Sequence, residues 1–575
     1  MNLLRPFALS VLLPALLITG CSQEPEVAGD SLLRHVPADT PYVFVADRHL
    51  PQRLRARLAD QSAAQLAAQG ESFRRLRAQI EASPDAAQMA GRAQQFLDVL
   101  QAFFTEFEAR DTASSLRELG IEPVTRSVFY GIGLLPAVRL EIADADRLNA
   151  MLDRVEQRAG VRAMRAELAG QPYRRIDLGA VDAVIAVSDD FAIAGLLADG
   201  LFDRDLPLLL GQRSPAEDLA SQGEMRTLIE RHAFSGYGEG FIRLDRLLTT
   251  LMGNGSGRGA ETMQALGGQP MPVSAACRSL VEEMVGGMPR MVIGITRADE
   301  RQLAMRAIWE SSPAVASYLG KLAAPVPGVG SPYEGLIAIG LGIDLPQLRN
   351  GIEALLRHVA AAGADCEWVD PATLKAVLPQ LNLALGPMTA GIKGFNLHLD
   401  ELELDPDTLE PRNVRAGLLA AVDDPRGMFA LGGVFNPALA SVELPSDGSL
   451  IEIPPLIADE PGAPPLKVAM KDKALVVLAG ANAAATLDPL LGAALVSPAR
   501  LFAVDYGVHA LVERFGGLLD GAVAQLIQQG ELEMADELRQ QMASFRLQAK
   551  LFERLRVSMY ANEQGLVVDQ VMELR

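Results

Sequence analysis

The order of its short apolar runs constrains this chain more than any single motif, because one series occurs twice. In the first half, Tyr42 to Val45 leads into a helical region that begins near Leu54. In the second, Tyr333 to Ile343 leads through Pro346 into Leu348, Ile352, Leu355, Leu356 and Val359, apolar at helical spacing. Strands are expected from Val128 to Ile142, and Val414 to Phe435 is the matching stretch. A hairpin from Ala183 to Ala194, turning at Ser188-Asp189-Asp190, answers to Lys467–Gly480, turning at Lys471-Asp472-Lys473. Gly240 to Leu244, running into a helix at Leu247 to Met252, answers to Phe502–Tyr506 running into Leu511 to Leu519. The closing hairpins are Met291 to Trp309 and Leu555 to Met572, with turns at Asp299-Glu300 and Asn562-Glu563-Gln564-Gly565. Five features in one order read as two diverged tandem copies.

Within each copy, strands and helices do not alternate as βαβ units require, so a parallel sheet is not expected. Hairpins dominate and helices come in long runs. The expected fold class is therefore α+β: two diverged tandem copies of a module in which an antiparallel sheet is covered on one face by long helices. The copies span 36–310 and 333–575, with a Pro/Gly-rich link over 311–332. Between Leu54 and Leu119, apolar residues recur at three- and four-residue steps, and Pro84 and Gly91 divide the region into separate helices. The last helical run carries Val523, Leu526, Ile527, Met534, Leu538, Met542, Phe545, Phe552 and Leu555 at helical spacing. That stripe reads as a core face, or as a movable helix closing an apolar groove.

The N-terminus is expected to be processed. Arg5 supplies a basic start, an apolar stretch runs from Phe7 to Ile18, and small residues lead to Cys21, a secretory pattern too short to span a bilayer. Ile18-Thr19-Gly20-Cys21 resembles the lipobox of bacterial lipoproteins: an aliphatic residue at −3, small residues at −2 and −1, then cysteine. The resemblance implies that 1–20 is removed and that Cys21 carries a thioether-linked diacylglycerol, with a third acyl chain on its new amine. Two or more chains anchor stably where one would exchange off the membrane. The alternative is an ordinary signal in which the cysteine is incidental. Ser22 after the cysteine, rather than Asp, implies sorting to the outer membrane by the same resemblance, and polar residues 22–31 read as part of a lipidated tether over 21–35.

Of 575 residues, 49% are hydrophobic and only 5% aromatic, so a sizeable core is expected to be built from Ala, Leu and Val. The formal charge is −20. Such an acidic body repels nucleic acid and anionic membrane surfaces. Beyond Cys21 only Cys277 and Cys366 remain, and an oxidising compartment would pair them, tying the end of the first copy to the first helical region of the second. Two separate buried thiols are the alternative.

Motifs that carry chemistry are sparse. His35, His49, His232, His358, His398 and His509 have no ligands at metal-binding spacing, so no metal or cofactor is expected. Ser256 lacks the flanking glycines of a nucleophile elbow, since Asn254 and Arg258 hold those places. Gly340-Leu341-Gly342 lacks the third glycine of a dinucleotide fingerprint and reads as close packing or a bulge in a strand. The carboxylates from Asp400-Glu401 to Asp407 and at Asp423-Asp424 read as acidic loops. No catalytic residue is assigned. The expectation is a non-enzymatic lipoprotein, anchored in the outer membrane and facing the periplasm, that binds or scaffolds an envelope protein partner. A carrier of an apolar ligand, with a groove between sheet and helices, is the alternative. A hydrolase whose groups converge only in three dimensions is the third reading.

Overall fold

The computed structural model describes residues 31–82, 91–269, 271, 273–362, 366–387, 389–405, 411–453 and 464–575. The expected signal, with Cys21, lies outside the described residues, as does Pro84. Among the described residues no helix is long and apolar enough to cross a membrane. Helices and antiparallel strands are both abundant, and the architecture is α+β. The chain falls into two compact units, 1–272 with 289–305, and 273–288 with 306–575.

The strands of the first unit are β1 (Tyr42–Ala46), β2 (Ser127–Ile132), β3 (Leu135–Glu141), β4 (Met164–Leu168), β5 (Gln171–Asp177), β6 (Val181–Val187), β7 (Phe191–Ala198), β8 (Glu239–Arg243) and β9 (Arg290–Ala298). They pair antiparallel in the order β4-β5-β6-β7-β3-β2-β1-β8-β9. Three long helices, α1 (Gln52–Ala82), α2 (Gly91–Thr105) and α3 (Ala145–Ala159), pack beside β3, β6 and β7. The sequence sets α3 locally. Asp144 caps its first turn by accepting from Arg147 N at 2.9 Å, and Gly160 ends it in the left-handed conformation. Leu148, Met151, Leu152 and Val155 lie on one face and join Phe73, Phe104 and Phe107 in the core. Glu106 is buried there, with Arg154 and Arg158 at 2.7 and 2.8 Å.

A strand β10 (Gln302–Glu310) carries the chain past residue 305 into the second unit. There β11 (Ile337–Gly342), β12 (Ile392–Leu404), β13 (Pro411–Val422), β14 (Ile451–Ile453), β15 (Leu466–Lys471), β16 (Ala474–Ala479), β17 (Arg500–Gly507), β18 (Phe552–Asn562) and β19 (Gly565–Leu574) follow. Their antiparallel order is β14-β15-β16-β13-β12-β11-β17-β18-β19. Strand for strand, β5-β6-β7-β3-β2-β1-β8-β9 and β14-β15-β16-β13-β12-β11-β17-β18 trace the same path.

The second unit also holds α4 (Ala275–Gly287), α5 (Pro313–Leu322), α6 (Pro425–Phe435), and the antiparallel pair α7 (Val508–Gln529) and α8 (Leu532–Leu551), joined at Gly530. Cys277 on α4 and Cys366 form a disulfide that lies wholly in this unit. β16 has no polar residue because both of its faces are covered. Leu475 and Val477 meet Met428 and Phe429 of α6, whereas Val476 and Leu478 meet Val326, Val329 and Leu490. Helical cover on a single face is therefore not the arrangement around this strand.

Three local expectations change. The stretch Val414–Phe435 is a strand only to Val422, because Asp424 accepts from Gly427 N at 2.9 Å and Pro425 starts α6. The Pro/Gly-rich link contains α5, started by Ser312 and Pro313 in the same manner. Asp400 and Glu401 belong to β12, not to an acidic loop. Gly340 is a packing glycine: a Cβ there would stand 2.6 Å from the Val329 side chain. In the terminal stripe Val523, Met542 and Leu555 are buried, while Ile527 and Met534, near the tip of the α7–α8 pair, are exposed.

Candidate functional site: a polar cleft on β12

Strand β12 contains the run Phe395-Asn396-Leu397-His398-Leu399-Asp400. Side chains alternate across a strand, so Asn396, His398 and Asp400 share one face and the apolar three share the other. β11 and β13 flank this face with small residues, Ala338 and Gly417 standing opposite His398. A Cβ on Gly417 would come 2.6 Å from Leu490 and 3.0 Å from Thr486, so the missing side chain admits the turn that carries Thr486.

The segment 326–333 crosses this polar face. Val326 and Val329 anchor it in the core, and Asn396 Nδ2 donates to Pro327 O at 3.0 Å. Gly328 N donates to Ala494 O at 3.1 Å, and Tyr333 N to Asp505 Oδ2 at 3.0 Å. Gly328 has φ +76°, and a Cβ there would lie 2.5 Å from Asn396 Nδ2, so glycine is required on both counts. Tyr333 then packs against His398, with ring centroids 4.4 Å apart and planes tilted by 38°, and donates its hydroxyl to Asp400 Oδ1.

The result is a cleft of about 490 Å³, bounded by Ser331, Tyr333, His398, Asp400, Arg415 and Thr486 with proline and alanine walls. Thr486 Oγ1 donates to Asp400 Oδ2 at 2.6 Å, and Arg415 Nε lies 3.5 Å from the same oxygen. Arg415 Nη2 is 3.0 Å from Glu401 Oε1. Burial, and then the Asp400 carboxylate, hold the Tyr333 phenol well above its ordinary range. Burial lowers the His398 pKa, against the pull of Asp400, so its imidazole is neutral at pH 7 and offers one donor and one acceptor. His398 is 9% exposed, and no described group hydrogen-bonds its ring nitrogens.

Behind the same segment lies a second cavity of about 230 Å³, sharing Gly328, Ser331 and Pro332 as a wall. Its carboxylates are paired within it, whereas the buried Nε of Arg500 has no hydrogen-bond partner among the described residues. Asp505 takes Arg554 at 2.6 Å and Arg556 at 2.8 Å, and Asp569 takes Arg306 at 2.6 Å and the Tyr560 hydroxyl at 2.8 Å. Burial, with Asp569 adding to it, pushes the Tyr560 phenol up to about 12.

Ser331 and His398 border one cleft, but both oxygens of Asp400 accept from hydroxyls, and among the described residues no hydrogen bond joins His398 to Asp400 or to Ser331. The relay of a nucleophilic triad is not assembled in this geometry. One described group of three ligand atoms is close enough to hold a metal: Cys277, Cys366 and Glu367. Its sulfurs are joined to each other, and a disulfide has neither the proton to donate to Glu367 nor the thiolate charge that binds a cation.

Of the residues singled out in the sequence, Cys277 and Cys366 come together as a bonded pair. Ser256 stands before a helix in the first unit, and His398 belongs to the second. His49, His358 and His509 each face one carboxylate, Glu141, Glu283 and Glu513. Asp423 pairs with Lys393 and Lys473, and Asp424 caps α6. The cleft residues were not found from sequence, although Asn-x-His-x-Asp with apolar residues between is itself a two-residue alternation with a polar row. No family model matches this chain, and no curated protein or solved structure does.

Proposed function

We propose that this chain is an envelope lipoprotein, held in the outer membrane through Cys21 with its body on the periplasmic side, and that it binds a small polar ligand in the β12 cleft. The lipobox-like Ile18 to Cys21 supports the anchor. The observation that carries the binding role is a pair of side chains lining one cavity of small-molecule size: His398, nine-tenths buried with no hydrogen bond at its ring nitrogens, and Arg415, whose buried Nε has no hydrogen-bond partner among the described residues. The common strand path of the two units supports their reading as diverged tandem copies. The disulfide fits an oxidising compartment.

A second reading, a carrier of an apolar ligand, rests on an open groove of about 630 Å³ where Leu402 and Leu404 face Phe515 and Leu518 of α7. A mostly apolar pocket beside Val99, Leu152 and Ile185 has only about 30 Å³, too small for an acyl chain.

Two measurements test the proposal. Metabolic labelling with palmitate should mark the wild type and not Cys21→Ser, and an unlabelled wild type removes the anchor. Native mass spectrometry of the mature body, purified from the periplasm, should show a small water-soluble adduct that His398→Leu loses. A lipid-sized mass removed by organic solvent, unaffected by His398→Leu, would move the binding role to the α7 groove.

A further inference from the structure

Resting on the β12 cleft as a binding site, we propose that its ligand is a neutral, hydroxyl-rich molecule of the saccharide class. The groups left over in the cleft decide this. An anion would need a free cation, and the one guanidinium here, Arg415, has Glu401 at 3.0 Å from Nη2 and Asp400 at 3.5 Å from an Nε that makes no hydrogen bond. An ammonium group would have to share Asp400, whose two oxygens each accept a hydrogen bond from a hydroxyl while Arg415 stands 3.5 Å from one of them. Two carboxylates stand around one guanidinium, so a second negative charge in this half-buried space is repelled.

What remains without a hydrogen bond among the described residues is the neutral imidazole of His398, the hydroxyl of Ser331 and the buried Nε–H of Arg415. The imidazole and the serine hydroxyl each offer a donor and an acceptor, and Arg415 Nε adds a donor. The complementary group is one that also donates and accepts, and an alcohol does both without charge. Several such groups on one small frame, with C–H surfaces between them, describe a sugar. Pro332, Pro489 and Ala493 supply the apolar wall on which those C–H surfaces would rest. The cleft volume lies in the range of small-molecule sites. Burying polar groups unpaired is unfavourable, so a ligand that satisfies His398 gains what an apolar one cannot.

The test is saturation-transfer NMR on the intact mature chain with methyl α-glucoside, N-acetylglucosamine and maltose as neutral probes. Glucuronate, glucose 6-phosphate and lysine serve as charged probes. Ala493→Trp fills the cleft, and His398→Leu removes its free donor and acceptor; circular dichroism verifies that both variants fold. The expected result is transfer to at least one neutral sugar, abolished by Ala493→Trp and weakened roughly tenfold or more by His398→Leu. Transfer to charged probes alone, abolished by Ala493→Trp, overturns the saccharide assignment and leaves the cleft standing. Transfer that survives Ala493→Trp, or none to any probe with no adduct by mass spectrometry, overturns both.

Discussion

Tyr333 and Asp400, 67 residues apart in the chain, are joined by a hydroxyl-to-carboxylate hydrogen bond that closes one side of the β12 cleft. Tyr333 folds back over Gly335, where a Cβ would lie 2.3 Å from the phenol oxygen. Replacing Tyr333 by Phe keeps the ring on His398 and removes the bond. A hydrogen bond to a charged acceptor contributes more than a neutral one, so Tyr333→Phe should cost about 2 kcal/mol in urea unfolding. A loss below a few tenths would mean that the bond is not made in solution.

Asp505 is 5% exposed and holds two arginines and the Tyr333 amide. Asp505→Asn preserves the shape and removes the charge. Arg554, itself largely buried, then loses its carboxylate. Breaking such a pair from one side should cost about 3–5 kcal/mol, read in the midpoint of chemical unfolding. A midpoint equal to the wild type would show that the two arginines find other partners.

Glu239, in β8, is 4% exposed. Burial raises its pKa from 4.5 to about 7, opposed by the amides of Gly238, Tyr237 and Gly236 and by the charge of Arg48. The folded chain thus keeps a proton that the unfolded chain has lost. Stability from this group is complete below pH 4.5, falls as the pH rises to about 7, and is constant above that. The full change is about 3 kcal/mol. Glu239→Gln should flatten this part of the profile, and melting curves across the window would show it. An unchanged slope in the variant would assign the dependence to another group.

The Cys277–Cys366 bond closes a separation of 89 residues. In the chain-entropy account such a loop stabilises by about 4.6 kcal/mol. Reduced wild type and the double variant Cys277→Ser/Cys366→Ser should therefore melt together, well below the oxidised protein. Coincident melting of the oxidised and reduced forms would show that the bond is absent or that it stores as much strain as it relieves.

Hairpins were legible in the sequence where a short turn separates apolar runs, as at Asp472-Lys473, because turn chemistry is local. The strand at Asn396 to Asp400 was not, since its buried face is polar and it reads as surface. Its burial is imposed by segment 326–333, which no local rule places there. Asp424-Pro425 and Ser312-Pro313 were legible as helix starts in principle, but the flanking runs of valine, leucine and glycine outweighed them. The disulfide followed from a count of cysteines. The cleft did not, because its six polar groups come from four separated stretches of sequence.

Helix α4 has a consequence for how the protein can be dissected. Residues 273–288 belong to the second unit while the chain on either side belongs to the first, so the backbone crosses between units at 272/273, 288/289 and 305/306. No single cut yields two complete halves. A fragment beginning at Arg306 would lack α4 and leave Cys366 as an odd thiol, prone to pairing between molecules. Expression of isolated halves is therefore a poor route to studying either one, and a circular permutant or a fused α4 would be needed to free the second.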